Sequence, residues 1–383
     1  MTNPANKTFL IAGATGLQRE LRLPALTATG ICAMLGASVY VVPFMIQRNV
    51  PGIGSWVLPA FLFAAVPALL AALAYAILAS AMPRAGGSYL YASRGLHPYL
   101  GFVASFSQWF GLSIVIGVIA YIIVPFLRDI AAALEWQATA SLLETGSVRV
   151  GLALLMVWLF VGVNILGSRS YERTLLPLMF VMFGLGAIVI VTGFSFDHAD
   201  FAEVLLEREN RVVPPATPTP FDAWTFLSAA AILFASFIGF DAIAQAGGEA
   251  RNPGRNLPLA IGLTMIIVGG FYFLFTAAVY HAVPWTFVAE EALARDITAP
   301  GLFSYLLPNA WAVAIVAGAA IALINDLPAM LLAVSRLMFA WAEDGIFPRR
   351  VARIHPERHT PQTALVLSGV MASVGILGSH FAG

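Results

Sequence analysis

Ile31-Cys32-Ala33-Met34-Leu35-Gly36-Ala37-Ser38-Val39-Tyr40-Val41-Val42-Pro43 decides how this chain of 383 residues folds. It lies between Arg22 and Arg48, in a run of 25 residues without a single Asp, Glu, Lys or Arg. About 20 apolar residues suffice for an α-helix to cross a ~30 Å hydrocarbon layer, so the run reads as a membrane span. Glycine and small polar residues nevertheless occupy its middle, where they weaken a helix. A second stretch, Phe234-Ala235-Ser236-Phe237-Ile238-Gly239-Phe240-Asp241-Ala242, has the same character. Small residues of this kind serve close packing between membrane helices. The alternative is that both helices break at mid-membrane and their free ends build a binding site.

Working outward, the composition agrees with a bilayer environment. Hydrophobic residues make up 60% of the chain and charged ones 10%, against about 25% charged in ordinary soluble domains. The other charge-free gaps are 35 residues (Arg48 to Arg84), 33 (Arg94 to Arg128), 34 (Arg255 to Glu290) and 29 (Asp296 to Asp326). A soluble enzyme, a nucleic-acid binder and a disordered tail are all excluded. Nine spans are expected, near 25–46, 54–81, 98–127, 150–167, 174–194, 223–246, 258–282, 310–339 and 361–381. They must be helices, because lipid cannot hydrogen-bond an open backbone and the runs lack the alternation of barrel strands. The net charge is zero, and the single cysteine, Cys32, rules out an intramolecular disulfide. The first 22 residues show no cleavable signal pattern, so the first span is expected to direct insertion.

The loops set the orientation. With the N-terminus in the cytoplasm, that side carries fourteen of the twenty basic residues and the other side six. The positive-inside rule therefore favours a cytoplasmic N-terminus. The expected organisation is a cytoplasmic N-terminal segment (1–24), a first group of five spans (25–194), an extracytoplasmic loop (195–222) and a second group of four (223–383). The long loop, with five acids between Asp197 and Glu209 and prolines at 214, 215, 218 and 220, reads as a stiff, solvated connector.

Gly36 and Gly239 are 203 residues apart, with five spans between the starts of their helices. A repeat of five spans inverts its second copy, which suits a site shared by two broken helices. A broken helix exposes free amides and the positive end of a helix dipole, and these attract a carboxylate. Unwound carbonyls in the partner helix accept from an ammonium. Such a site holds a zwitterion without a charged side chain, as an amino acid requires.

Four stretches now resemble the amino acid–polyamine–organocation permease superfamily. The first is Leu17-Gln18-Arg19-Glu20-Leu21-Arg22-Leu23 with the Gly36-to-Tyr40 break, and the second is Pro83-Arg84-Ala85-Gly86-Gly87-Ser88-Tyr89-Leu90-Tyr91. The third runs from Phe237-Ile238-Gly239-Phe240-Asp241 through Gly248-Glu249-Ala250-Arg251-Asn252-Pro253 to Asn256-Leu257-Pro258. The fourth ends span eight at Ser335-Arg336 and continues through Glu343-Asp344-Gly345-Ile346-Phe347-Pro348, His355 and Thr360-Pro361. The resemblance implies a leucine-transporter-like, all-α fold with an inverted five-helix repeat and broken helices one and six. It implies carboxylate recognition at Gly36, Ala37 and Ser38, and ammonium recognition around Ser236, Phe237 and Gly239, with Phe237 or Phe240 as an aromatic lid. Three departures stand out. Ser38 replaces the usual second glycine, span five has no lysine, and the family's ten-helix core leaves the second repeat one helix short, as in a truncated or unusually short member.

Asp241 and Asp326 are the two acids expected inside spans, where an aspartate costs about 2.5–3.5 kcal/mol on insertion scales. Asp241 reads as a protonatable coupling group or an amine contact, or else as a cap for the broken helix; Asp326 reads as a coupling site for a proton or sodium, or else as the group that satisfies the kink at Pro328. Arg84, Glu249, Arg251 and Arg336 gather at the inner face, either as topology-setting charge or as a salt-bridge latch on the inner mouth. Phe9-to-Gly16 mimics a dinucleotide-binding turn without its strand–helix–strand context, and the six histidines lack metal-ligand spacing. No enzyme activity, catalytic residue, metal or cofactor is expected. The function expected is secondary transport of an amino acid across the inner or plasma membrane, coupled to a proton. An amine or polyamine carrier or exchanger, and a non-transporting membrane sensor or interaction subunit with the permease fold, are the alternatives.

Overall fold

The structure, a computed structural model, describes residues 16–36, 38–216 and 219–382. Among these residues, nine helical passes are long and apolar enough to cross a membrane, one for each expected span. The first pass is made of α1 (Leu23–Met34) and α2 (Ser38–Asn49), and the second is α3 (Val57–Ala81) with a preceding 3-10 turn. A short α4 (Gly87–Gly95) leads into α5 (Pro98–Ala133), the third pass. After α6 (Gln137–Glu144) come α7 (Gly146–Ile165) and α8 (Ser168–Ser195), the fourth and fifth. The surface helix α9 (His198–Glu209) precedes α10 (Ala223–Phe234) and α11 (Asp241–Gln245), which together form the sixth. Then follow α12 (Pro253–Ala282), two short helices α13 (Trp285–Ala294) and α14 (Ala299–Phe303), α15 (Asn309–Glu343) and α16 (Gln362–Ala382).

Local sequence explains these limits. Proline stands in the first turn of α1, α5 and α12, where its missing N–H and fixed φ suit a helix start. Pro43, Pro125, Pro177 and Pro328 lie inside α2, α5, α8 and α15 without ending them, because neighbouring helices satisfy freed backbone groups in a membrane bundle. Asn164 Nδ2 of α7 also reaches α15 there, donating to the Pro328 carbonyl at 3.3 Å.

Burial separates centre from periphery. In the first and eighth passes, 82% and 72% of the most apolar window is buried, against 22–44% in the other seven. The outer passes turn Leu62, Leu70, Ile77, Phe180 and Ile266 outward, as lipid-facing side chains should. Backbones approach closely where glycine allows it: Gly117 of α5 sits on Ala372 of α16, and Gly375 of α16 sits on Ile114.

Hydrogen bonds join the loops in two sets. On one face Gln18 meets His359, Leu21 meets Glu249 and Arg251, and Thr360 donates to the Ile165 carbonyl. On the other, Arg48 meets Asp296, Trp56 the Thr219 carbonyl, and Thr286 the Pro214 carbonyl. Two expectations need correction. The loop 195–222 is no bare solvated connector, since α9 opens with an Asp197/Asp200 capping box and buries Phe201 and Leu205. These are four residues apart on one helix face, and the Phe201 ring packs on Phe287 and Tyr305 at centroid distances of 4.8 and 5.7 Å. The third pass also continues to Ala133, beyond Arg128, whose guanidinium is neutralised by Asp129 at 2.7 Å.

A break in two helices at one level

Helix α1 ends at Met34, and α2 starts at Ser38. Ala37, expected to share carboxylate recognition, lies outside the described residues. Gly36 has no room for a side chain, since a methyl group there would overlap the Asp326 carboxylate. Asp326, 4% exposed on α15, therefore faces the first break, and its Oδ1 has no hydrogen-bond partner among the described residues. Beside it, Asn325 Nδ2 donates to Cys32 Sγ at 2.8 Å.

The sixth pass loses its helix in stages. A 3-10 turn covers Ala235–Phe237, Ile238 is extended at φ −72° and ψ 137°, and Gly239 takes φ +131°. That conformation favours glycine, and so does the contact, because a Cβ at Gly239 would strike the Ala33 carbonyl of α1. The two breaks thus pack against each other, backbone to backbone.

Beside Gly239 lies a cavity of about 190 Å³ between the first, third, sixth and eighth passes. Ala33, Leu112, Ile238, Ala242 and Met330 give it apolar walls, and Ser107, Gln108 and Asp241 are its polar groups. Gln108 Nε2 of α5 donates to the Asp241 carboxylate, a partner that sequence spacing could not supply.

The other expected residues take different positions. Ser38 Oγ lies 3.1 Å from the Tyr272 hydroxyl, which donates to the Met34 carbonyl at 2.6 Å. Tyr272 of α12 therefore spans the first break from one helix end to the other. Sequence reasoning passes over it, because its only signal is a hydroxyl inside an apolar run. Phe237, 1% exposed, packs its ring edge-on to Phe61 and Tyr272 at 5.5 and 6.0 Å. Phe240 turns to Tyr75 at 5.4 Å, and Ser236 is buried nearby. Of the six expected substrate-binding residues that the structure describes, only Gly239 lines the cavity.

The inner-face group divides. Glu249 and Arg336, each 2% exposed, form a buried pair with Nη2–Oε1 at 2.5 Å and Nε–Oε1 at 3.0 Å. Arg84 instead meets Glu343 at 3.5 Å, partly in solvent, and Arg251 points into a separate cleft. Leu21 N donates to the Glu249 carbonyl at 2.9 Å and Arg251 N to the Leu21 carbonyl at 2.8 Å, which ties the N-terminal segment under the sixth pass. Gly86, at φ +83°, lets the loop before α4 press on Ala340. Arg94 and the Tyr89 hydroxyl converge on Asp344, and burial together with that bond pushes the Tyr89 phenol up to about 12.

A chain with nine helical passes among its described residues, and two broken helices meeting beside a partly open cavity, belongs to the broken-helix class of membrane proteins. The family described as amino acid permease matches residues 21–382, and the chain belongs to it. It is similar to cationic amino acid transporter 4 of Homo sapiens, 27% identical over 373 residues that cover 94% of this chain and 55% of that protein. It is also similar to the vacuolar cationic amino acid transporter 4 of Arabidopsis thaliana (27% identity, 94% of this chain, 58% of that protein). The branched-chain amino acid permease BcaP of Bacillus subtilis is 26% identical, with 97% of this chain and 77% of that protein covered. The chain thus spans little more than half the length of the first two.

Proposed function

We propose that the chain carries an amino acid across the membrane by alternating access, as a secondary transporter coupled to protons. The observation that carries this reading is the cavity of about 190 Å³ at Gly239 and Asp241, lined by four passes where two broken helices touch. Free amides at the start of α2 favour a carboxylate. The extended backbone at Ile238 offers its carbonyl to an ammonium, the Gly239 carbonyl being taken by Ala242 N–H at 3.0 Å, and Asp241 adds negative charge. The names of the relatives, transporters of cationic and of branched-chain amino acids, support the same substrate class. Leu112, Ile238 and Met330 favour an apolar substrate side chain. A second reading, an amine or cationic amino acid as cargo, is favoured by the Asp241 carboxylate in the cavity wall.

Asp326 is the coupling group in this reading, since a buried acid against the first break changes its surroundings when that break moves. Glu249 and Arg336 close the inner mouth, with Arg84 at its rim. The basic loops favour a cytoplasmic N-terminus in the inner or plasma membrane.

A thermal-shift panel of the twenty amino acids, putrescine and spermidine tests the cargo, because stabilisation follows the ratio of ligand concentration to Kd. At least one amino acid should raise the melting temperature, and the assignment falls if no amino acid or amine does. In proteoliposomes with an imposed pH gradient, Asp326→Asn should keep binding and lose proton-driven uptake, whereas Asp241→Asn should lose binding. Unchanged coupling in both variants removes the two acids from the mechanism.

A further inference from the structure

A cleft of about 440 Å³ opens on the face that carries the more basic loops, away from the cavity at the helix breaks. Arg19, Arg22, Arg169 and Arg251 line it together with Glu20 and Glu172, a net charge of +2. None of the four arginines forms a salt bridge among the described residues. Their convergence is built into the backbone, because the bonds between Leu21 and the Glu249–Arg251 segment place Arg22 and Arg251 side by side. Arg169 comes from the start of α8, on the neighbouring pass.

Depth in the membrane narrows the ligand. Arg22 directly precedes Leu23, the first residue of the first pass, and Ser168 in the cleft wall is the first residue of the fifth. Leu166, just ahead of it, is 57% exposed. The cleft therefore sits where apolar helix gives way to water, at the level of lipid headgroups. Guanidinium groups bind phosphate oxygens in bidentate fashion, and basic pockets between membrane helices take anionic headgroups. We propose that this cleft binds the phosphate of an anionic phospholipid, held by Arg22, Arg169 and Arg251 with Arg19 at the rim. Glu20 and Glu172 limit the charge, so a singly charged phosphodiester fits better than a polyanion.

Binding of fluorescent phosphatidylglycerol to the full chain in detergent tests this. Phosphatidylglycerol should bind, and phosphatidylcholine should compete poorly. Each arginine near an anionic surface contributes about fivefold in affinity, so Arg22→Gln/Arg169→Gln should weaken binding roughly twenty-five-fold with an unchanged melting temperature. Should that double variant not fold, Arg251→Gln should show the single fivefold step. Glu172→Gln should bind more tightly than the parent. Equal affinity of the parent and the arginine variants, or competition by phosphatidylcholine as strong as by phosphatidylglycerol, overturns the proposal. Displacement of the lipid by low-millimolar inorganic phosphate overturns the lipid assignment in favour of a soluble phosphate.

Discussion

Removing one partner of the Glu249–Arg336 pair should destabilise the fold more than any surface change. Both side chains are 2% exposed. Arg336 gives Nε and Nη2 to one carboxylate oxygen and Nη1 to Ser335 Oγ at 2.9 Å. In Glu249→Leu the guanidinium keeps only the neutral serine, and breaking a buried pair in this way costs about 3–5 kcal/mol. With ~2.1 cal/mol/K of unfolding entropy per residue, a chain of 383 residues should then melt roughly 4–6 °C lower. Glu249→Leu/Arg336→Met removes both charges at similar volume and should recover most of that loss, because apolar replacements of buried pairs are often neutral. Tryptophan-fluorescence melts of parent, both single variants and the double variant in one detergent measure the cycle. Single variants that melt within about 1 °C of the parent would rule out a buried-charge penalty. So would a double variant as unstable as the singles. The pair's role in closing the inner mouth falls separately if the stable double variant transports like the parent.

Three further outcomes are expected. Tyr272→Phe strips the Met34 carbonyl and Ser38 of their shared hydroxyl, which should cost about 1–3 kcal/mol for an unsatisfied buried group; melts check it, and an unchanged melting temperature would show that the break needs no strut. Gly239→Ala sets a Cβ against the Ala33 carbonyl at φ +131°, so it should destabilise by about 1–3 kcal/mol or more and abolish ligand-induced thermal shifts. A full shift in that variant would mean that the two breaks need not touch. The third outcome concerns the face that carries α13. Burial raises the Glu291 carboxyl, but hydrogen bonds from Arg211 and Arg295 outweigh it and hold the group below its usual 4.5. A depressed carboxylate stabilises the fold above its unfolded pKa and stops doing so as pH falls through its folded value. The melting-temperature gap between parent and Glu291→Gln should therefore be full near neutral pH and close below about pH 4.5; a gap constant down to pH 3 would sink the linkage.

Glu291 also marks the limit of what periodicity conveys. The segment 283–309 carries Glu290, Glu291, Arg295 and Asp296 and no apolar run of its own long enough to span, yet it forms α13 and α14 and buries Phe287, Val288 and Phe303. Short helices of this kind owe their stability to packing rather than to propensity, so nothing local announces them. Residues 195–222 mislead for the same reason, because their acids and prolines conceal the Phe201/Leu205 face. Gly36 and Gly239 are legible, since a glycine at mid-span weakens the very helix that the apolar run requires. Phe237 is not, because an aromatic ring in an apolar run packs in any direction.

Sequence alone determined the number of the passes, their approximate places along the chain and the positions of both breaks. These follow from the cost of charge and open backbone in lipid, which accrues residue by residue along the chain. Tertiary structure alone decided that the two breaks touch, that Tyr272 bridges one of them, and that Gln108 holds Asp241. It also decided that Arg251 leaves Glu249 and Arg336 to join Arg19, Arg22 and Arg169. Each of these unites residues 130 or more positions apart, or turns neighbours in opposite directions. Such contacts depend on how helices rotate about their own axes when they pack, and a stretch that is apolar on every side carries no record of that rotation.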